Sequence, residues 1–417
     1  MNTKQTEIDE IPEDWEVVKL GEILTPSNER INPLYQFSDF CIELEHIQSN
    51  LGMLSGSTQT NKYSSLKNIF KKDNVLFGKL RAYLKKFWFA RKDGVCSTEI
   101  WVLKTNLKKA VPNFSYYIVQ SDNFIEAASE SYGTHMPRSE WKTVKELTIP
   151  LPPLPEQTAI AAILSDTDRL LAALRALIGK KRAVKTATMQ QLLSGRLRLP
   201  GFAATGRLKN SELGEIPEDW EVVKIKEFTD CTAGGTPSTV ISEYWNGGIP
   251  WMNSGELHLK QVYDVSSRIT ELGLNNSSTS VVPKNSVLIG LAGQGKTRGT
   301  VAISRIPLCT NQSIAAVFPN NLFCSEYLFY NLENRYEELR SLSTGDGGRG
   351  GLNLTIIRNL AVPFPSHPEQ TAIAQTLSDM DSEIAALEAR AAKLAQIKQG
   401  LMQNLLTGKI RVNAGAA

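Results

Sequence analysis

"IPEDWEVVK" occupies Ile11–Lys19 and returns without a change at Ile216–Lys224, an offset of 205. A second phrase, "PEQTAIA", stands at Pro155–Ala161 and again at Pro368–Ala374, an offset of 213. The chain therefore runs through an opening phrase, a variable region and a long segment, then through the same three again. The second variable region is 8 residues longer than the first. Two copies of this length indicate a duplicated domain pair rather than a solenoid, whose units are several-fold shorter. The 417 residues suffice for two or three separate cores.

The segments that follow PEQTAIA read as helices. Pro155 suits a first helical position and Glu156 the positive end of the helix dipole. No proline interrupts the first segment before Pro200, and Gly195 offers a left-handed stop with Arg196 and Arg198 just beyond. Roughly 39 residues at 1.5 Å each make a rod of roughly 58 Å. Apolar positions recur at 3–4 spacing through Ile160, Leu164, Thr167, Leu171, Leu174 and Ile178. Shifted by 213, the second helix continues with Ile373, Leu377, Met380, Ile384, Leu387, Ala391, Leu394, Leu401 and Leu405. This is a coiled-coil seam. Each helix could instead pack only on its own domain. A rod this long overhangs a domain of about 130 residues, which makes its twin the obvious partner, antiparallel in an internal pseudo-dimer.

Composition is that of a soluble globular protein, with 41% hydrophobic and 21% charged residues. No apolar run approaches the roughly 18 residues of a membrane span. The opening "MNTKQTEIDEIPEDW" is polar and acidic, unlike a secretory signal, so the cytoplasm is the expected compartment. Cys41, Cys96, Cys231, Cys309 and Cys324 form no C-x-x-C and stand apart from the four histidines; they read as reduced core thiols, with no metal site.

Residues 20–150 and 225–362 carry strand signals: "NVLFGKL" and "KKFWFA" in the first, "SVLIG", "GTVAIS" and "SIAAVF" in the second. Val75–Gly78 corresponds to Val287–Gly290, and Cys96–Glu99 to Cys309–Gln312, so one fold is expected to carry two different surfaces. A net charge of +3 diagnoses nothing, but its distribution does. Between Asn61 and Lys92 stand ten basic residues, Lys62, Lys67, Lys71, Lys72, Lys79, Arg81, Lys85, Lys86, Arg91 and Lys92, against the single acid Asp73. Tyr63, Phe70, Phe77, Tyr83, Phe87, Trp88 and Phe89 interleave them. A one-signed excess of this kind suits a phosphate backbone, although charge runs also serve simply as solvated faces.

Two motifs need weighing. "GLAGQGKT", Gly290–Thr297, fits the phosphate-loop pattern G-x-x-x-x-G-K-[ST]. Such a loop must lead from a strand into a helix, yet "RGTVAISR" follows, β-branched and without helical period. Gln294, Lys296, Thr297 and Arg298 on a hairpin tip suit DNA better, since Gln pairs with adenine and Arg or Lys with guanine or phosphate. The bland alternative is a tight turn with its polar side chains in solvent. "NPLY", Asn32–Tyr35, resembles an amino-methyltransferase loop but lacks its second proline and any nearby methyl-donor site. No nucleophile–base–acid set emerges, so no catalytic residue is assigned.

With these residues in view, the chain resembles the specificity (S, HsdS) subunits of Type I restriction–modification systems over nearly its whole length. The motifs that carry the resemblance are "IPEDWEVVKLGEI" and "IPEDWEVVKIKEF", "PLPPLPEQTAIAAILSDTD" and "VPFPSHPEQTAIAQTLSDMD", and "IKQGLMQNLLTGKIRV". "GGTPST", "EYWNGGIPW" and "GQGKTRGTVAI" look like one common type of second recognition domain. The first domain offers "LTPSNER" in place of the glycines and has no GQGKT, so contact residues do not transfer between domains.

The resemblance implies α/β (α+β) target-recognition domains in tandem duplication, each followed by a long helix. The helices would form an antiparallel coiled coil with pseudo-two-fold symmetry. The expected parts are a recognition domain at 1–150, a helical region at 151–200, a linker and second recognition domain at 201–362, and a second helical region at 363–412. Each domain would read one half of a bipartite site in double-stranded DNA. The chain itself would be non-catalytic and hold no cofactor. Two modification subunits would bind S-adenosylmethionine, and restriction subunits would use ATP and Mg2+. Candidate DNA-binding residues are Lys79, Arg81, Tyr83, Lys85, Lys86 and Arg138 in the first half, and Thr236, Ser238, Gln294, Lys296, Thr297, Arg298 and Arg349 in the second. The competing readings are a P-loop ATPase using Gly290–Thr297 and a coiled-coil scaffold without DNA binding.

Overall fold

The computed structural model describes residues 2–61, 64–130, 137–202, 206–293, 295–342 and 351–412. They form two compact units, one of Met1–Ala176 with Ala389–Ala417, the other of Leu177–Glu388. None of the described helices is long and apolar enough to cross a membrane.

In the first unit, an antiparallel sheet has the order Leu24–Pro26, Ile100–Thr105, Val75–Gly78, Phe87–Phe89. All four residues of Val75–Gly78 are buried. Side chains alternate across a strand, and here both faces are covered. Val75 and Phe77 enter a core with Phe114, Phe124, Ile160 and Leu405, while Leu76 enters another with Ile42, Phe70, Trp88 and Val102. The second core lies against a further four-stranded sheet, in which Cys41–Ile42 runs parallel to Gly94–Ser97.

The second unit repeats this layout. Cys231–Ala233, Ile314–Val317, Val287–Gly290 and Val301–Ser304 follow the same order, with Gln261–Val262 added at the edge. Val287 and Ile289 enter one core and Leu288 another. Cys309–Thr310 runs parallel to Trp245–Met252, as Gly94–Ser97 does to Cys41–Ile42. The five strands read from sequence are all present, and Val75–Gly78 and Val287–Gly290 hold the same place in their sheets.

In each unit the opening phrase pairs with the strand just before the long helix: Glu16–Lys19 with Thr148–Leu151, and Glu221–Lys224 with Ala361–Phe364. The helices run from Leu154 to Leu193 and from His367 to Leu405. Gly195 and Gly408, both at positive φ, follow them as left-handed stops. A side chain at either would collide with the opening phrase, because an added Cβ would lie 2.4 Å from Pro217 or 2.5 Å from Pro12.

The helices contribute Ile160, Leu164 and Leu405 to the first unit's core and Ile373 and Leu377 to the second's. In the first unit Ile160, Leu164, Leu171, Leu174 and Leu405 are buried; in the second Ile178, Ile373, Leu377 and Ile384 are. Polar contacts flank the seam. Lys398 pairs with Asp168 at 2.7 Å, and Tyr117 donates to the same carboxylate at 3.0 Å. The second unit matches this with Lys185, Asp381 and Tyr330 at 2.6 and 2.9 Å. It adds Lys181–Glu383 and Arg182–Glu388, each at 2.6 Å.

Glu156 does more than face the helix dipole. Its side chain is only 4% exposed and accepts the Trp15 indole N–H at 3.0 Å. Arg411 donates to both its oxygens at 2.7 Å and grips Asp14 with two bonds of 2.8 Å. The same cluster forms from Glu369, Trp220, Arg198 and Asp219. Hydrogen bonds from these guanidinium groups hold the Asp14 and Asp219 carboxyls below their usual range.

A buried carboxylate stripped of its cation is destabilising by about 3–5 kcal/mol, whereas an exposed ion pair contributes under about 1 kcal/mol. Arg411→Ala should therefore destabilise the first unit by about 3 kcal/mol or more, and Lys181→Ala the second by under about 1 kcal/mol. Urea denaturation measures both, and equal losses would contradict the role given to the Glu156 carboxylate.

Candidate nucleic-acid interface

The connection 291–300 lies between two antiparallel strands, with Val287 opposite Ile303 and Ile289 opposite Val301. Gly290 N–H donates to Thr300 O and Gly299 N–H to Gly290 O, both at 2.9 Å, so the loop closes on itself and returns as a strand. The loop leads from a strand into a strand and not into a helix, and the phosphate-loop reading of GLAGQGKT fails on this geometry. The glycines answer to space instead. A Cβ on Gly290 would stand 2.2 Å from Thr297 O, and Gly299 has φ +79°.

Lys296 is exposed at the tip, and Thr297 and Arg298 are half-buried, with Arg298 Nε shielded from solvent. Gln294 and Arg349 lie outside the described residues. The outer arm of the loop is tethered by the helix Tyr336–Ser341. Arg340 donates to Gly295 O at 2.7 Å, Tyr336 to Lys296 O at 3.2 Å, and Arg340 to the Tyr336 hydroxyl at 2.8 Å. Leu352 N–H donates to Leu291 O at 2.9 Å, fixing the inner arm.

Thr236 and Ser238 are exposed on a neighbouring turn. The Thr236 hydroxyl donates to Gln312 at 2.6 Å, and Ser238 O accepts the Trp245 indole at 3.1 Å. The preceding Gly234 sits so close to the strand beside it that a Cβ would lie 1.9 Å from Thr310 O. The glycines of GGTPS serve this approach of two backbones.

The equivalent connection in the first unit, Lys79–Lys86, carries a turn of 3-10 helix, Ala82–Leu84. Arg81 and Lys85 flank it at φ +55° and +51°, a left-handed conformation that disfavours side chains. Backbone bonds hold it: Arg81 N–H to Pro137 O and Ser139 N–H to Lys79 O, both at 2.9 Å. Arg81 is exposed and Tyr83 is 56% exposed. Lys85 pairs with Asp122 at 3.2 Å, Lys86 donates to Leu44 O at 2.5 Å, and Arg138 pairs with Glu99 at 2.9 Å. Lys79 is half-buried.

The basic run looks different in three dimensions. Lys67 is buried against Glu43 at 2.7 Å, and Lys71 pairs with Asp93 at 3.0 Å. Lys62 and Tyr63 lie outside the described residues. The local excess of +9 is thus partly met by carboxylates from other segments. The interleaved aromatics are core rather than a stacking platform: Phe70, Phe77, Phe87 and Trp88 are buried. Among them Tyr83 alone of the described residues is largely exposed.

Tyr336 and Arg340 carried no signal in sequence beyond a four-residue spacing that puts both on one helix face. Among the described residues no cluster of His, Cys, Asp and Glu is placed to hold a metal ion. Burial pushes the Cys41 and Cys231 thiols up to about 11, as expected of core cysteines.

The family description "Type I restriction modification DNA specificity domain" matches residues 12–180 and 217–399. The chain is 26% identical over 419 residues to the Type I restriction enzyme MjaVIII specificity subunit of Methanocaldococcus jannaschii, covering 96% of this chain and 94% of that one. Its fold is similar to that of the Type-I restriction-modification system S subunit from M. genitalium, at 17% identity and a TM-score of 0.60, covering 94% of this chain and 96% of that one. It is also similar to a chain solved in work on complex assembly and conformational transition of the type I R-M system. There the identity is 21% and the TM-score 0.59, over 96% of this chain and 99% of that one.

Adding a methyl group at Gly234 must push two backbones apart, and overpacking of this kind costs about 1–3 kcal/mol or more. Gly234→Ala should destabilise the second unit by that amount and leave the first unmoved. Gly248→Ala, whose Cβ would meet nothing within 4 Å, is the control. Hydrogen exchange in Val287–Gly290 and Val75–Gly78 reads the two units separately, and equal protection in both variants would refute the steric argument.

Proposed function

The chain belongs to the Type I restriction modification DNA specificity family, and from that premise we propose that it is the DNA-reading subunit of a restriction–modification complex. The observation that carries this reading is the duplication itself. One family domain occurs twice, each copy built on a sheet of the same strand order, while the hairpin ends of the two sheets differ: Lys79–Lys86 in one, 291–300 in the other. Two like frames with unlike tips suit a double-stranded DNA site of two unlike halves, one read by each domain.

The first recognition domain is 1–150, a linker and the second recognition domain take 201–362, and 151–200 and 363–412 are the helical regions. The helices pair antiparallel as a coiled coil with pseudo-two-fold symmetry. In support, partner numbers within each unit fall as the others rise: Glu156–Arg411 and Asp168–Lys398 in the first, Lys185–Asp381 and Arg198–Glu369 in the second. The chain is non-catalytic and works in the cytoplasm. Methyl transfer from S-adenosylmethionine belongs to two modification subunits, and ATP- and Mg2+-dependent work to restriction subunits.

In the first domain Arg81 and Tyr83 are the foremost contact candidates, with Lys79 beside them. In the second, Lys296 leads, supported by Thr236, Ser238, Gln294, Thr297, Arg298 and Arg349. Lys85, Lys86 and Arg138, held in internal pairs, act by shaping the first loop.

Methylome sequencing of a host expressing the chain with its modification subunit tests the whole reading. A new bipartite motif is expected, and unmodified DNA would count against it. Inserting four residues near Lys185, about 6 Å of helix, should change the spacer of that motif and leave both half-sites as they were. Lys296→Ala should weaken binding to all sequences and lower the salt slope by about one. Arg81→Ala should affect the first half-site and leave discrimination at the second intact, which binding to DNA altered in each half-site will show.

A further inference from the structure

The tip of the 291–300 connection contains Gly293, Gly295 and Gly299, residues that lose the most conformational freedom when ordered. Left alone, such a tip would scatter the side chain of Lys296 over many positions. It is not left alone. The carbonyls of Gly295 and Lys296 are each taken by a side chain of the helix Tyr336–Ser341, and the two donors, Arg340 and Tyr336, are bonded to each other. The helix is itself pinned to the core by Leu339, which is fully buried. Gly299 completes the contact: a Cβ there would lie 3.2 Å from both Arg340 Cγ and Tyr336 O.

The first unit tethers its loop differently. Shifting by 213 places Asn123 and Ala127 where the second unit has Tyr336 and Arg340. Neither reproduces the clamp; there the loop is held by backbone bonds to Asn50, Pro137 and Ser139 and by an ion pair from Lys85 to Asp122. The second unit grips backbone, not side chain. Its hold is therefore independent of which residues the tip carries.

We propose that Tyr336 and Arg340 are positioning residues for recognition by the second domain, clamping the loop backbone so that its side chains meet DNA already ordered. This rests on the reading of the 291–300 loop as a DNA contact. One guanidinium nitrogen of Arg340, Nη1, donates to both a carbonyl and a hydroxyl, which places its effect in the loop. Ordering the loop before binding removes an entropic cost from the complex with the correct half-site.

The test uses the full chain assembled with its modification subunits, in three variants: Arg340→Met, Tyr336→Phe and Lys296→Ala. Tyr336→Phe removes one hydroxyl and keeps the ring, so it reports even if Arg340→Met fails to fold. In both clamp variants, amide exchange at Gly299 and Thr300, whose N–H groups close the loop on Gly290 O and Thr297 O, should quicken about tenfold without DNA, which is the loss of about one hydrogen bond's worth of protection. Discrimination against DNA altered in the second half-site should fall by about tenfold. Discrimination at the first half-site, subunit assembly and the salt slope should stay as in the parent.

Unchanged discrimination in both clamp variants, with Lys296→Ala still impaired, would overturn the clamp and leave the loop as a reader. A salt slope reduced by about one in Arg340→Met would also overturn it, because Arg340 would then be a phosphate contact. Silence of all three variants on DNA binding would overturn the loop reading and the clamp with it.

Discussion

A tryptophan N–H buried away from water must find an acceptor, and a buried carboxylate must find a cation. In this chain each solves the other's problem, with an arginine as the third party. Trp15, Glu156 and Arg411 come from an opening phrase, a helix start and a helix end, and Trp220, Glu369 and Arg198 repeat the arrangement. Removing the arginine leaves the buried carboxylate without its cation, and removing the carboxylate leaves the indole N–H without its acceptor. This explains why the opening phrase and the helix start are repeated unchanged in the two halves of the chain while the sheets between them share little sequence. Each phrase is fitted to partners far away in the chain, and only the set is stable.

The sheets obey a looser rule. Their central strands are covered on both faces, so any apolar residue of suitable volume can stand there. Val75-Leu76-Phe77 and Val287-Leu288-Ile289 do the same work with different side chains. With both faces occupied, the sheet meets solvent at its hairpin ends. Diversity is thereby confined to turns such as Lys79–Lys86 and 291–300, and those turns rest on frames that do not depend on them. The pair of loops shows two ways of holding a variable tip: a left-handed backbone with an ion pair, and a glycine-rich backbone gripped through its carbonyls.

Much of this was legible in the sequence because it is local or repeated. The phrases at offsets 205 and 213 announced the duplication, and heptad spacing from Ile160 to Ile178 announced the first helix seam. "RGTVAIS" after Thr297 already argued for a returning strand. What was illegible depends on partners distant in sequence. Glu156 reads as an acid at a helix start, and nothing nearby hints at Trp15 or Arg411. The basic run seemed one-signed because Glu43, Asp93 and Asp122 lie outside it. Its aromatics interleave with the basic residues because a strand covered on both faces has no polar alternation to reveal its inward side.

The unit boundaries carry a consequence for synthesis. The second unit is one continuous stretch, Leu177–Glu388, whereas the first needs Ala389 onward to supply Leu405, Lys398 and Arg411. A chain emerging from the ribosome grows from its N-terminus, and domains as a rule fold in that order. Here the first unit can be completed only after the second, and the residues that follow it, have been made. The half made first must wait, its Glu156 lacking a cation and its core lacking Leu405, until the half made last is finished. For that interval the early half is the part of the nascent chain most in need of protection from aggregation.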